Sequence, residues 1–169
     1  MWFSVRIVLR RLQALTRCPE FNVALFALLL NYPWEFLQVP LFEGMSQAPH
    51  WHAVQSCSRA AVGDAVISLL AFEVVSLWAG ARAWVMRPTA PMVFGFIACG
   101  VFTTVVIERL ALAGLWMERW SYSTLMPILP GLEVGVSPIA QWVVLPPLVL
   151  WLVRRQLACA QPRGGLRVD

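Results

Sequence analysis

Four carboxylic acids stand inside long apolar runs of this 169-residue chain: Glu35, Asp64, Glu73 and Glu108. An acid at the centre of a membrane helix costs about 2.5 kcal/mol or more, so each needs a partner or a task. The tasks open to it are proton transfer, holding the polar end of a ligand, and hydrogen bonding between helices. Asn31, Glu35 and Gln38 recur at i, i+4 and i+7, which sets all three on one helical face. Trp34 adjoins Glu35, and Trp142 adjoins Gln141. Aromatic faces beside acids can hold a polyene or isoprenoid tail and stabilise a cation formed on it. The plainer reading of the same tryptophans is bundle packing.

These types and spacings define a candidate site. Glu35 is its acid or base, and Asp64 and Glu108 act on its proton affinity by like-charge proximity. Asn31, Gln38 and Gln141 orient a ligand, with Trp34, Arg109, Trp120, Tyr122 and Trp142 as further ligand-binding candidates. Asp64 can pair with Arg59, and Arg109 can reach Glu35 or snorkel outward. Glu73, nine residues from Asp64, falls on the opposite face and reads as a helix-packing contact. His50 and His52 would share one side of an extended segment and meet one metal, with Glu43 or Glu118 near. No third ligand is fixed by spacing, so an interfacial loop without metal or cofactor is expected. Cys18, Cys57, Cys99 and Cys159 are widely spaced, and they read as small apolar fillers, with Cys57 in an outer loop. No G-x-S-x-G, H-E-x-x-H or phosphate loop occurs, which leaves a hydrolase of soluble substrates without support.

The elements that must position these groups are membrane spans. Hydrophobic residues make up 59% of the chain, charged ones only 13%, and mean hydropathy is +0.68, far from a soluble globule. Four stretches reach the ~20 residues needed to cross hydrocarbon: about 21–41, 60–81, 91–113 and 134–153. Alternating strands are absent, which excludes a β-barrel. All 13 basic residues are arginines, and ten fall in the N-terminal segment, the 82–87 loop and the C-terminal tail. That bias predicts both termini in the cytoplasm and explains the pI of about 9.3 without a nucleic-acid partner. At 1.5 Å per residue, Glu35 lies roughly 9 Å below the outer end of its span, Asp64 about 6 Å, Glu108 about 7–8 Å and Gln141 about 10 Å. Four helices thus bring a polar group to one outer layer.

Residues 1–17 carry Arg6, Arg10, Gln13 and Arg17 on one stripe, as in an amphipathic helix on the anionic inner leaflet. Residues 42–59 read as a polar loop, and 114–133, with its Trp, Tyr and Pro, as an interfacial or partly re-entrant segment. Pro33 is placed to kink the first span. Trp2, Trp78, Trp84, Trp116, Trp120 and Trp151 fall near span ends and read as interfacial anchors. The expected fold is all-α: one integral membrane domain over 1–169, a four-helix transmembrane bundle with an N-terminal interfacial helix and a cytoplasmic tail at 154–169. No internal repeat is visible, which argues against an inverted-repeat transporter.

Two stretches read as signatures, NYPWEFLQVPLFEGM at 31–45 and ERWSYSTLMPILPGLEVGVSPIAQW at 118–142. Together with Gly63-Asp64 they resemble a set of small bacterial inner-membrane proteins. The resemblance implies an inner-membrane location and brings no activity with it. A fainter likeness is to the membrane-embedded carotenoid cyclases, but their Pro-Glu-Glu-type motif ahead of paired phenylalanines is missing, which leaves a chemical analogy. Two functions follow from the residues. One is an outer-half intramembrane site that binds or modifies a hydrophobic lipid- or isoprenoid-like molecule, whether or not as an enzyme. The other is a non-enzymatic accessory or assembly subunit, in which the same polar groups join helices and the partners are membrane lipids and another membrane protein.

Overall fold

A computed structural model describes residues 14–116 and 119–160. The interfacial helix expected over 1–17 lies almost wholly outside the described residues, as does most of the tail. Four long helices dominate: α1 (Pro19–Gln38), α2 (His50–Ala79), α3 (Ala90–Leu112) and α4 (Val136–Ala160). Among the described residues α2, α3 and α4 are long and apolar enough to cross a membrane. α1 is the shortest at 20 residues and carries Asn22, Asn31, Glu35 and Gln38.

Local chemistry sets the ends. Pro19 opens α1, where its missing N–H would be unpaired in any case. α2 closes on Gly80, whose φ of +67° is the left-handed geometry that glycine adopts without strain. There Gly80 N–H donates to Leu77 O (3.3 Å) and Ala81 N–H to Ser76 O (3.2 Å), which satisfies the last carbonyls. α3 ends the same way at Gly114, with Leu115 N–H on Leu110 O (2.8 Å).

α2 begins ten residues earlier than the apolar run suggests. The stretch from His50 to Arg59 is helical, not loop, and Cys57 is buried in it with its thiol 3.7 Å from the Glu35 carbonyl. Polar side chains signal water, not coil, and a helix continues through them at little cost. His50 and His52, two apart on a helix, therefore point away from each other, and the extended geometry imagined for a metal does not form.

The helices pack as a ring, with α1 and α3 each against α2 and α4. One half of the interior is apolar. Trp84, on a 3-10 turn between α2 and α3, stacks on Phe72 (centroids 5.4 Å) beside Phe96, and its indole N–H donates to Ser76 Oγ at 3.1 Å. It is a core plug at 4% exposure, which corrects its reading as an interfacial anchor. At that end Arg82 pairs with Glu20 (3.2 Å).

The opposite end is covered by a strap. Phe42 bridges Tyr122 in antiparallel fashion, Glu43 N–H donates to Ser121 O and Ser123 N–H to Leu41 O, both at 2.9 Å. Two short strands, β1 (Ile128–Leu129) and β2 (Val134–Gly135), then fold back and lead into α4. The segment expected to be interfacial or re-entrant is thus a strap tied to the α1–α2 connection.

Candidate functional site

Below the strap, polar side chains fill the axis of the bundle. The α1 stripe turns inward, with Asn31, Glu35 and Gln38 all buried, while Pro33 is exposed on the other face. Asn31 donates Nδ2–H to the Ala27 carbonyl (2.8 Å), and this fixes its Oδ1 toward α4. There Gln141, 3% exposed, donates from Nε2 to Asn31 Oδ1 (2.6 Å), to Asp64 Oδ2 on the diagonal helix α2 (2.8 Å) and to Glu35 Oε1 (3.2 Å). Glu35 Oε1 also accepts from Gln38 Nε2 (2.9 Å), and Gln38 Oε1 accepts from Ser137 Oγ (3.0 Å). One amide nitrogen with two hydrogens thus faces three oxygens, two of them carboxyl.

Glu108 supplies the α3 contribution. It is buried, and its Oε2 accepts from Trp120 Nε1 (3.0 Å) and from the Tyr122 hydroxyl, both on the strap. The same hydroxyl accepts from Gly135 N–H (3.0 Å), so Tyr122 joins the strap's two arms to α3. Burial, and then the bond to Glu108, push the Tyr122 phenol well above its ordinary range, so it stays a donor. Among the described residues no arginine makes an ion pair with any of the three acids, and no cluster has the makings of a metal centre.

Eight of the eleven sequence-nominated residues meet here: Asn31, Glu35, Gln38, Asp64 and Gln141 in one network, Glu108, Trp120 and Tyr122 in the next. Arg109 does not. It is exposed and donates to the Leu132 carbonyl (3.2 Å), away from Glu35. Trp34 is half-buried and its indole N–H is enclosed without a partner among the described residues. Trp142 is buried with its ring against Gly100, so closely that a Cβ there would fall 1.9 Å from Cε3. Its ring fills the bundle instead of facing an open pocket. The crevice beside it, bounded by Asn31, Ser68, Gln141 and Pro146, is too narrow for a water molecule.

Arg59 is exposed, and Glu73 is half-buried and makes no hydrogen bond or ion pair with the described residues. Ser137 and Ser121 escaped the sequence reading, and Glu43 entered it only as a neighbour of the histidine pair. Ser137 had a signal, since it precedes Gln141 by one turn. Ser121 Oγ donates to Glu43 Oε2 (2.7 Å) across 78 residues, a pairing no local pattern encodes. No family model, no curated protein and no solved structure matches this chain.

Proposed function

We propose that the chain is a four-span membrane protein, N-in and C-in in a bacterial inner membrane, whose outer-half carboxyl site binds or modifies a hydrophobic lipid- or isoprenoid-like molecule. The membrane reading is supported by a surface turned inside out. Leu77 is 81% exposed and Phe94 and Phe102 71%, whereas Glu35, Glu108 and Gln141 are 8%, 6% and 3%. In water that arrangement would expose a large apolar surface, and in lipid it is the stable one. α1 obeys the same rule, with Leu25, Leu29, Tyr32 and Phe36 outward opposite its polar stripe, and so reads as the fourth span. The inner-membrane placement rests on the signature stretches and the arginine bias.

The convergence of Glu35 and Asp64 on the single Gln141 amide carries the functional reading. Two bare carboxylates so close in a low dielectric repel strongly, whereas two carboxyl groups on one amide can share a proton. Such a pair can give a proton to a bound polar end or take one from it. Glu35→Gln tests this, since glutamine keeps the shape and an acceptor but holds no transferable proton. The expected result is unchanged folding with loss of ligand binding or of the cellular phenotype. Loss that merely tracks unfolding would contradict it.

One observation favours the alternative of an accessory subunit with structural polar contacts. The network is closed on itself, down to a crevice that excludes water. On that reading Glu35→Gln is silent in every functional assay and a stoichiometric protein partner co-purifies.

A further inference from the structure

Two arginines lie side by side near the end of α4, and one of them has a defined seat. The Arg155 guanidinium stands 5.0 Å over the ring of Trp151, one turn earlier on the same helix. Such stacking takes up the flat face of the guanidinium and leaves its rim of N–H donors free. Neither Arg154 nor Arg155 makes an ion pair with a carboxylate among the described residues, whereas Arg82 is held by Glu20 and Arg109 by the Leu132 carbonyl. A free planar rim matches two oxygens of a phosphate.

The surface that leads to this cation is apolar. Val144, Leu148, Trp151 and Arg155 recur at i, i+4, i+7 and i+11, which sets them in one row. The three apolar members are 44–52% exposed, while Leu145, Val149 and Val153 between them are buried, so the row faces away from the bundle. From Val144 to Arg155 the helix rises about 16 Å, close to the ~15 Å of hydrocarbon in one leaflet. Trp151 then stands at the headgroup boundary that indoles favour, with the charges just beyond it.

We infer that this row of α4 binds one anionic phospholipid, its phosphate held by Arg155 and Arg154 and an acyl chain lying along Leu148 and Val144. A zwitterionic headgroup brings its own cation to the phosphate and competes with the arginines, whereas an anionic one does not. The inference needs α4 to span a membrane and does not depend on the carboxyl layer.

The test is native mass spectrometry of the full chain in detergent, titrated with phosphatidylglycerol or with phosphatidylcholine of the same acyl chains. The first phosphatidylglycerol is expected to bind roughly tenfold more tightly than phosphatidylcholine. Arg155→Gln removes that preference. Trp151→Leu keeps the cation but frees it from its seat, and reduces the preference about threefold. Arg87→Gln, which removes an exposed arginine from the α2–α3 connection, leaves it intact. Glycerol phosphate, which offers the phosphate without the chains, does not displace the lipid. Equal binding of the two lipids, which would leave the row to an acidic protein partner, overturns the inference. So does an equal loss in Arg87→Gln, the sign of diffuse attraction, or displacement by glycerol phosphate. Glu35→Gln leaves the preference unchanged, so failure of this site and failure of the Glu35 reading are distinct results.

Discussion

Gln141 holds more of the site together than any acid does, because its one amide nitrogen serves acceptors on two other helices. Removing it leaves buried oxygens without a donor, at about 1–3 kcal/mol each. Gln141→Leu is expected to cost roughly 3 kcal/mol or more in thermal unfolding in nanodiscs, with Glu35→Gln costing under about 1 kcal/mol. Equal losses would mean that the acids, not the amide, organise the layer. Tyr122 gives a pH signature at the same scale. Its folded pKa is raised above the ordinary 10.0, so the stability it lends is complete below that value and is lost as pH climbs past it. A spectrophotometric titration of the native protein minus Tyr122→Phe isolates this phenol. Its phenolate absorbance is expected to appear only above pH 10.0.

Helix against helix, the tightest point is Gly100 beneath Trp142. Gly100→Ala is expected to destabilise by about 1–3 kcal/mol through overpacking. Gly63→Ala, where a Cβ meets nothing within 4 Å, is expected to be neutral or stabilising, by up to ~1 kcal/mol from helix propensity. Chemical or thermal unfolding of the two variants side by side checks both signs. The strap is the other element-scale feature, and it explains where sequence reading stops. The α1 stripe was legible because one face of one helix is a local pattern. The pairing of 40–43 with 120–123 was not, since a single antiparallel bridge carries no period and the partners are about 80 residues apart. The early start of α2 was missed for a different reason, the equation of polar residues with loop. Arg109 and Trp34 lie outside the two networks because a helix turns each residue by about 100°, so neighbours of Glu108 and Glu35 face elsewhere.

For the whole molecule, composition already implied spans, three helices among the described residues are long and apolar enough to cross a membrane, and the proposed fourth span is α1, whose apolar side chains face outward. The topology predicts that an impermeant thiol reagent reaches Cys159, exposed at the end of α4, only from the cytoplasmic side. A cysteine placed at exposed Thr124 on the strap is expected to react only from the opposite side. Labelling of both from one side would contradict α4 as a span.

The central claim is that the Glu35–Asp64–Gln141 layer serves a lipid-soluble ligand. Native mass spectrometry of the protein gently extracted from its own membrane, with lipidomics of what travels with it, tests this most directly. The account predicts one specific lipid or isoprenoid at near-stoichiometric amount, absent from a Glu35→Gln protein of unchanged thermal stability. Bulk phospholipid alone in both proteins, with or without a stoichiometric protein partner, would contradict it.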